Sequence, residues 1–232
     1  MFSDQIRISP ADKCGFENVK LVFFGQFNNN NKSGRQYNQR FFLVVLQIYP
    51  EDMHGFIFIE FEKFALTKVP YRSWYEILAN NNLQDRQYSP INLYPDSELK
   101  TLINSVAAIT HDPPTVLLEM FGKSLVPDLM KVYRAFINPE WKTLDMLENA
   151  ETSIHVAVRK STNGAAPPIL DIRRTSHNSL EIHYISERKM VELGVGIIKG
   201  IAKAYNEEDN IEVELEKREA EGCSIIYIRQ LF

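Results

Sequence analysis

Ile169-Leu-Asp-Ile-Arg-Arg-Thr-Ser-His-Asn-Ser-Leu-Glu-Ile-His-Tyr-Ile-Ser-Glu-Arg188 is the stretch on which the fold turns. Two strand-prone runs, Ile169–Arg174 and Leu180–Ile185, flank Thr175-Ser-His-Asn178, whose residues favour turns, so the segment predicts a β-hairpin. From Met53 to about Gly164 the apolar residues instead recur at helical spacing. The period therefore drops from about 3.6 to 2 near Gly164. Beyond the hairpin, Met190–Tyr205 is helical. Ile211, Val213 and Leu215 then alternate strictly with Glu212, Glu214 and Glu216, the pattern of a half-solvated antiparallel strand. Ala220-Glu-Gly222 turns the chain into Ser224–Arg229. The fold class is α+β: an N-terminal helical subdomain followed by a four-stranded antiparallel sheet with packed helices.

Within the helical part, Ile57, Phe61, Phe64, Ala65 and Leu66 predict an amphipathic helix that stops near Pro70. Ser73 and Glu76 resemble a capping box opening a short helix over Trp74–Ala79. Asp96 or Ser97 caps the next, with Leu99, Leu102, Ile103, Val106 and Ile109 on one face. Another starts after Pro113-Pro114 and ends at Gly122, and a separate one carries Leu125, Leu129, Val132 and Phe136. Thr143–Lys160 reads as a single long helix. The first 52 residues differ in character. Lys20–Phe27 and Phe41–Tyr49 are apolar and strand-prone, and Asn28-Asn-Asn-Asn-Asn-Lys-Ser-Gly between them is a low-complexity loop. Met53 is read as the functional start, with 1–52 an upstream or dispensable N-terminal extension; an integral strand pair and a binding appendage are the alternatives.

A hydrophobic content of 44% is ample for a core, so global disorder is excluded. The net charge of −4 comes with scattered Lys and Arg, so no basic face tracks a phosphate backbone and nucleic acid is not an expected partner. Cys14 and Cys223, far apart, make neither a disulfide framework nor a zinc site, and the expected compartment is the cytoplasm. No apolar run reaches the roughly 18–20 residues of a membrane span.

Tyr184, Ser186 and Arg188 stand at i, i+2 and i+4. On an extended strand they would share one face, about 6.5–7 Å apart, offering two hydroxyls and a guanidinium to a pair of carboxylates. His155 falls on a helical stripe with Leu144, Leu147 and Val158, where an imidazole must find a partner. Read from the residues alone, structural burial and ligation of a metal or cofactor both remain open. His54, His111 and His177 read as surface or satisfied side chains, and His183 should face solvent with Glu181. Gly194-Val-Gly196 and Gly200 lie inside a helix, where each glycine costs about 0.5–1 kcal/mol against alanine. Their presence implies close approach of something flat or of another backbone. No Ser-His-Asp, paired-carboxylate or nucleophilic-cysteine arrangement stands out, so an enzyme is not expected.

The chain from Met53 to Phe232 resembles the H-NOX family, the haem nitric-oxide/oxygen-binding domain related to the sensor domain of soluble guanylate cyclase. The likeness rests on Met53-His-Gly-Phe-Ile57, Trp74, Phe121-Gly-Lys-Ser-Leu-Val-Pro-Asp128, the His155 helix, Pro167-Pro168 and Tyr184-x-Ser186-x-Arg188. The resemblance implies haem b held between the helical part and the sheet. His155 matches the proximal iron ligand, and Tyr184, Ser186 and Arg188 match the propionate clamp. Pro168 matches the proline that bends the porphyrin. Ile57, Leu125, Leu129, Leu193 and Ile197 fall where distal-pocket residues lie, with Gly194 and Gly196 near the macrocycle.

Family members that retain dioxygen carry a distal hydroxyl where this chain has Leu193. Bound dioxygen draws negative charge and needs a donor, whereas nitric oxide and carbon monoxide do not. The resemblance thus implies a sensor of nitric oxide and carbon monoxide. In it, weakening of the iron–His155 bond lets the porphyrin flatten and the helical part rotate against the sheet. With no effector after Phe232, the expected output is a separate protein, such as a histidine kinase or a cyclic-dinucleotide enzyme. One alternative is a haem-free module of the same fold that acts through protein contacts alone; the other, a haem enzyme such as a peroxidase, would need a distal acid–base pair where the expected pocket positions are aliphatic.

Overall fold

The computed structural model describes residues 52–161, 166–218 and 223–231. The strand-prone runs at Lys20–Phe27 and Phe41–Tyr49, and the turn at Ala220-Glu-Gly222, lie outside the described residues.

A short strand, β1 (Asp52–His54), pairs antiparallel with β2 (Leu93–Pro95), placing Met53 opposite Tyr94. This two-stranded ribbon was not legible in the sequence, because three residues are too few to show a period. The His54 side chain accepts a 3.4 Å hydrogen bond from the Phe56 N–H and so caps α1 (Gly55–Leu66). That helix buries Phe58, Phe61, Phe64 and Ala65, one face at three- to four-residue steps. Helices α2 (Tyr71–Asn80) and α3 (Asp96–Thr110) follow, and each takes a proline, Pro70 or Pro95, at its N-cap. The expected Ser73 cap is therefore not used. Helix α2 begins upstream of it, because a proline already holds the φ a helix start needs.

Helix α4 (Pro114–Val132) runs unbroken through Gly122 and Pro127, where the sequence predicts two helices. Tertiary packing overrides both breakers. Gly122 lies against the backbone of α7 (Val191–Ala204), near the Leu193 carbonyl and the Gly196 Cα. Pro127 lacks the N–H that would bond to the Lys123 carbonyl, and that oxygen faces Gly200.

The expected long helix over Thr143–Lys160 is also resolved differently. It consists of α5 (Thr143–Asn149), a π-helical segment at Ala150–His155, and α6 (Val156–Ser161). A π turn inserts extra chain into the helical ladder and rotates the side chains after it, a device frequent at functional sites.

The hairpin is present as β3 (Ile169–Ser176) and β4 (Ser179–Ile185), followed by α7, β5 (Ile211–Arg218) and β6 (Cys223–Gln230). The four strands pair antiparallel in the order β3-β4-β6-β5. The fold is thus α+β, as the change of period predicts. Two cores form. One lies among α1, α3 and α4, around Phe58, Phe61, Leu102 and Phe121. The other packs α5 and α7 on the sheet, around Leu147, Leu180, Val195, Ile198, Ile226 and Ile228. Ile197 packs against both.

Candidate functional site

A cavity of about 240 Å³ lies beside Ile197, walled by α1, α4, α7, the π-helical segment and Ala166, Pro167 and Pro168, just ahead of the hairpin. Its lining is mostly aliphatic, with Ile57, Leu125, Leu129, Leu193 and Ile197 all contributing. His155, Pro168, Tyr184 and Arg188 line it too. Nine of the residues expected at a cofactor site, drawn from six regions of the chain, therefore meet in one space.

His155 is held firmly on that wall. Its Nδ1 lies 2.8 Å from Oε2 of Glu151, four residues earlier in the same π-helical segment. An ionised carboxylate only accepts hydrogen bonds, so in the neutral imidazole Nδ1 carries the proton and Nε2 the lone pair. The same Oε2 accepts the Leu170 N–H at 3.2 Å, and Oε1 accepts Arg159 Nη1 at 2.6 Å. Burial pushes the Glu151 carboxyl up, but the hydrogen bonds and charges of His155 and Arg159 outweigh it and hold the group at about 2.

Tyr184, Ser186 and Arg188 do not share the expected single strand face. Strand β4 ends at Ile185, and the chain turns at Glu187 and Arg188, with Lys189 at φ 54°. Tyr184 and Arg188 reach the cavity, whereas Ser186 faces a neighbouring depression beside Lys189, Glu192 and Lys217. The Ser186 hydroxyl accepts the Arg188 N–H at 3.3 Å and so shapes the turn. The physical reason is that the buried Arg188 folds back onto main-chain acceptors. Its Nη2 donates to the Asp52 carbonyl at 2.8 Å and its Nη1 to the Ala166 carbonyl.

The helix glycines also divide. Gly194 lines the cavity and rests on the Tyr184 ring, 3.1 Å from where a Cβ would sit. Gly196 instead faces the Glu119 carbonyl of α4 and does not reach the cavity. Of the two readings for these glycines, backbone approach applies to Gly196.

Several residues at the cavity or behind its wall carry no mark in the sequence. Glu151 and Arg159 carried no signal beyond ordinary helix-surface charge. Tyr133, at the end of α4, also lines the cavity, and burial raises its pKa. His54 lines the cavity while capping α1. Among the described residues no three His, Cys, Asp or Glu side chains converge as a metal cage.

The Haem-NO-binding family profile matches residues 54–213. The chain belongs to that family. In fold, this H-NOX chain is similar to an H-NOX protein from S. oneidensis, solved in an Fe(II)NO ligation state, at 20% identity and a TM-score of 0.71. The match covers 77% of this chain and 99% of the other. An H-NOX protein from K. algicida, solved with unliganded Fe(II), matches at 26% identity and a TM-score of 0.68, covering 77% and 96% of the two chains. No curated protein sequence matches this H-NOX chain. No described helix is long and apolar enough to cross a membrane.

Proposed function

We propose that this H-NOX protein is a haem-based sensor of nitric oxide and carbon monoxide. The observation that carries the reading is His155, an imidazole with Nδ1 bonded to a carboxylate, on the wall of an aliphatic cavity that Arg188 borders. The residues suit a haem on three counts. The cavity interior is apolar, a single neutral imidazole supplies a nitrogen, and a guanidinium stands ready for propionates. At about 240 Å³ the space is slightly below the roughly 300–1,000 Å³ of most small-molecule sites. Two propionates offer Arg188 charged acceptors in place of the Asp52 and Ala166 carbonyls, and charge-assisted bonds are about twice as strong.

Ferrous haem b would supply an iron able to take up a diatomic gas. His155 would hold that iron. Tyr184 and Arg188, with Ser186 ordering their turn, orient the acidic edge. Pro168 borders one side of the space, and Leu193 and Ile197 keep water and hydrogen-bond donors from another. With aliphatic Leu193 in place of a hydroxyl, dioxygen gains no stabilising donor there. The signal leaves through a separate cytoplasmic effector, a histidine kinase or a cyclic-dinucleotide enzyme, with Met53–Phe232 as the working domain. No catalytic step is assigned to the chain.

Absorption spectroscopy of the full chain reconstituted with hemin tests the reading. A Soret band that moves when nitric oxide meets the reduced protein, and that His155→Gly alters, supports it. A chain that stays colourless with hemin points instead to a haem-free interaction module.

A further inference from the structure

His155 does not stand alone on its wall. One carboxylate, Glu151, touches three separate parts of the site. Oε2 contacts His155 Nδ1 at 2.8 Å and the Leu170 N–H at 3.2 Å, and Oε1 contacts Arg159 at 2.6 Å. Arg159 in turn donates from Nη2 to the Pro168 carbonyl at 3.4 Å. Leu170 is the register partner of Tyr184 across β3 and β4. A single side chain therefore joins the imidazole, the proline segment and the strand pair that carries Tyr184.

We propose that Glu151 is the positioning residue of this site: its carboxylate selects the Nε2 lone pair of His155 for the iron and ties His155 to the Pro168–Leu170 segment, so that the two move together. The geometry dictates the first part. An acceptor-only carboxylate on Nδ1 leaves Nε2 as the ligating nitrogen and raises its electron density, the usual effect of an outer-shell carboxylate on a metal-bound histidine. The second part follows from connectivity. Displacing His155 along its helix must either break the Glu151 contact or drag the Leu170 N–H and, through Arg159, the Pro168 carbonyl. Strand β3 is an edge strand of the sheet, so it can shift without disrupting the pairings of β4 with β6. Nothing in the sequence marks this pair, because a glutamate four residues before a histidine is common on any helix surface.

This inference rests on the haem reading, and its test separates the two. Glu151→Gln keeps the shape and removes the charge, and Glu151→Ala removes the contact. In the reduced, haem-loaded full chain, the iron–histidine stretching band should shift to lower frequency in the Gln variant and further in the Ala variant. Transfer of haem to apomyoglobin should become roughly tenfold faster in Ala. A band and a transfer rate unchanged in both variants overturn the role of Glu151 while leaving the haem reading intact. A wild-type chain that takes up no haem overturns both. A measurement on the unmodified, haem-free chain guards against variants that fail to fold. Its ¹⁵N spectrum at pH 8 should show His155 protonated on Nδ1, and an Nε2-protonated ring overturns the proposal.

Discussion

The Cα of Gly196 lies so close to the carbonyl oxygen of Glu119 that no side chain fits between α7 and α4 at that point. Gly122 makes the reciprocal approach from α4, with a Cβ there falling 3.0 Å from the Gly196 Cα. The cavity residues Leu193 and Ile197 flank this contact on α7, so the helix spacing sets the width of the cavity they line.

Gly196→Ala should therefore destabilise the protein, although alanine is the better helix former. The gain in propensity is about 1 kcal/mol. Overpacking costs about 1–3 kcal/mol, and here the obstacle is backbone that cannot rotate away. A net loss on the order of 1 kcal/mol should lower the Tm by about 2–4 °C. A Tm that rises in a thermal melt would show that the two helices separate freely.

Phe121→Ala should have the largest effect of any single truncation in the helical core. The ring is fully buried and meets Phe61 edge-on at 5.2 Å and Phe64 at 5.6 Å. Truncating such a phenylalanine typically costs about 3–5 kcal/mol. Denaturant titration should show an earlier midpoint with the slope preserved; a loss under about 1 kcal/mol would mean that the site collapses around the gap.

Leu193→Tyr should convert the gas preference of the haem-loaded protein. Leu193 lines the cavity and is only partly buried there, so a phenol can be accommodated. A hydrogen bond to a charge-bearing ligand is worth roughly 1.5–3 kcal/mol, or one to two decades of affinity. The reduced variant, titrated with dioxygen, should bind it that much more tightly than the parent, with carbon monoxide affinity changed far less. Equal gains for both gases would discredit the donor argument.

The acid limb of the haem-free protein's stability should depend on Glu151. Its folded-state pKa, about 2, lies below the ordinary 4.5. The carboxylate form is thus the stabilising one. Its contribution is fully present above about pH 4.5 and fades as the pH falls towards 2. Glu151→Gln should flatten the stability profile across that window and leave its shape above pH 6 unchanged. A parent and variant with parallel profiles down to pH 2 would contradict the assignment.

How much was legible follows from how each feature is encoded. The sheet announces itself in Ile211–Glu216, because solvent on one face and core on the other imprint a period of two. The Tyr184–Arg188 motif was legible as chemistry but not as geometry. Whether a strand continues through Ser186 depends on where the Arg188 guanidinium finds acceptors, and those lie at Asp52 and Ala166, far away in the chain. Helix α4 was misread at Gly122 for the opposite reason. Glycine reads as a local breaker, yet its lack of a side chain is what α7 requires at that point.

The order of residues alone determined the α+β class, the period change near Gly164, the hairpin, and membership of a haem-NO-binding lineage, since each is written in spacing or in a local motif. Tertiary structure decided the π turn beneath His155, the continuity of α4, and the meeting of Glu151 with Leu170 and Arg159. Such features depend on burial and on acceptors brought from elsewhere in the chain. Their free energies exceed the local preferences that a sequence displays.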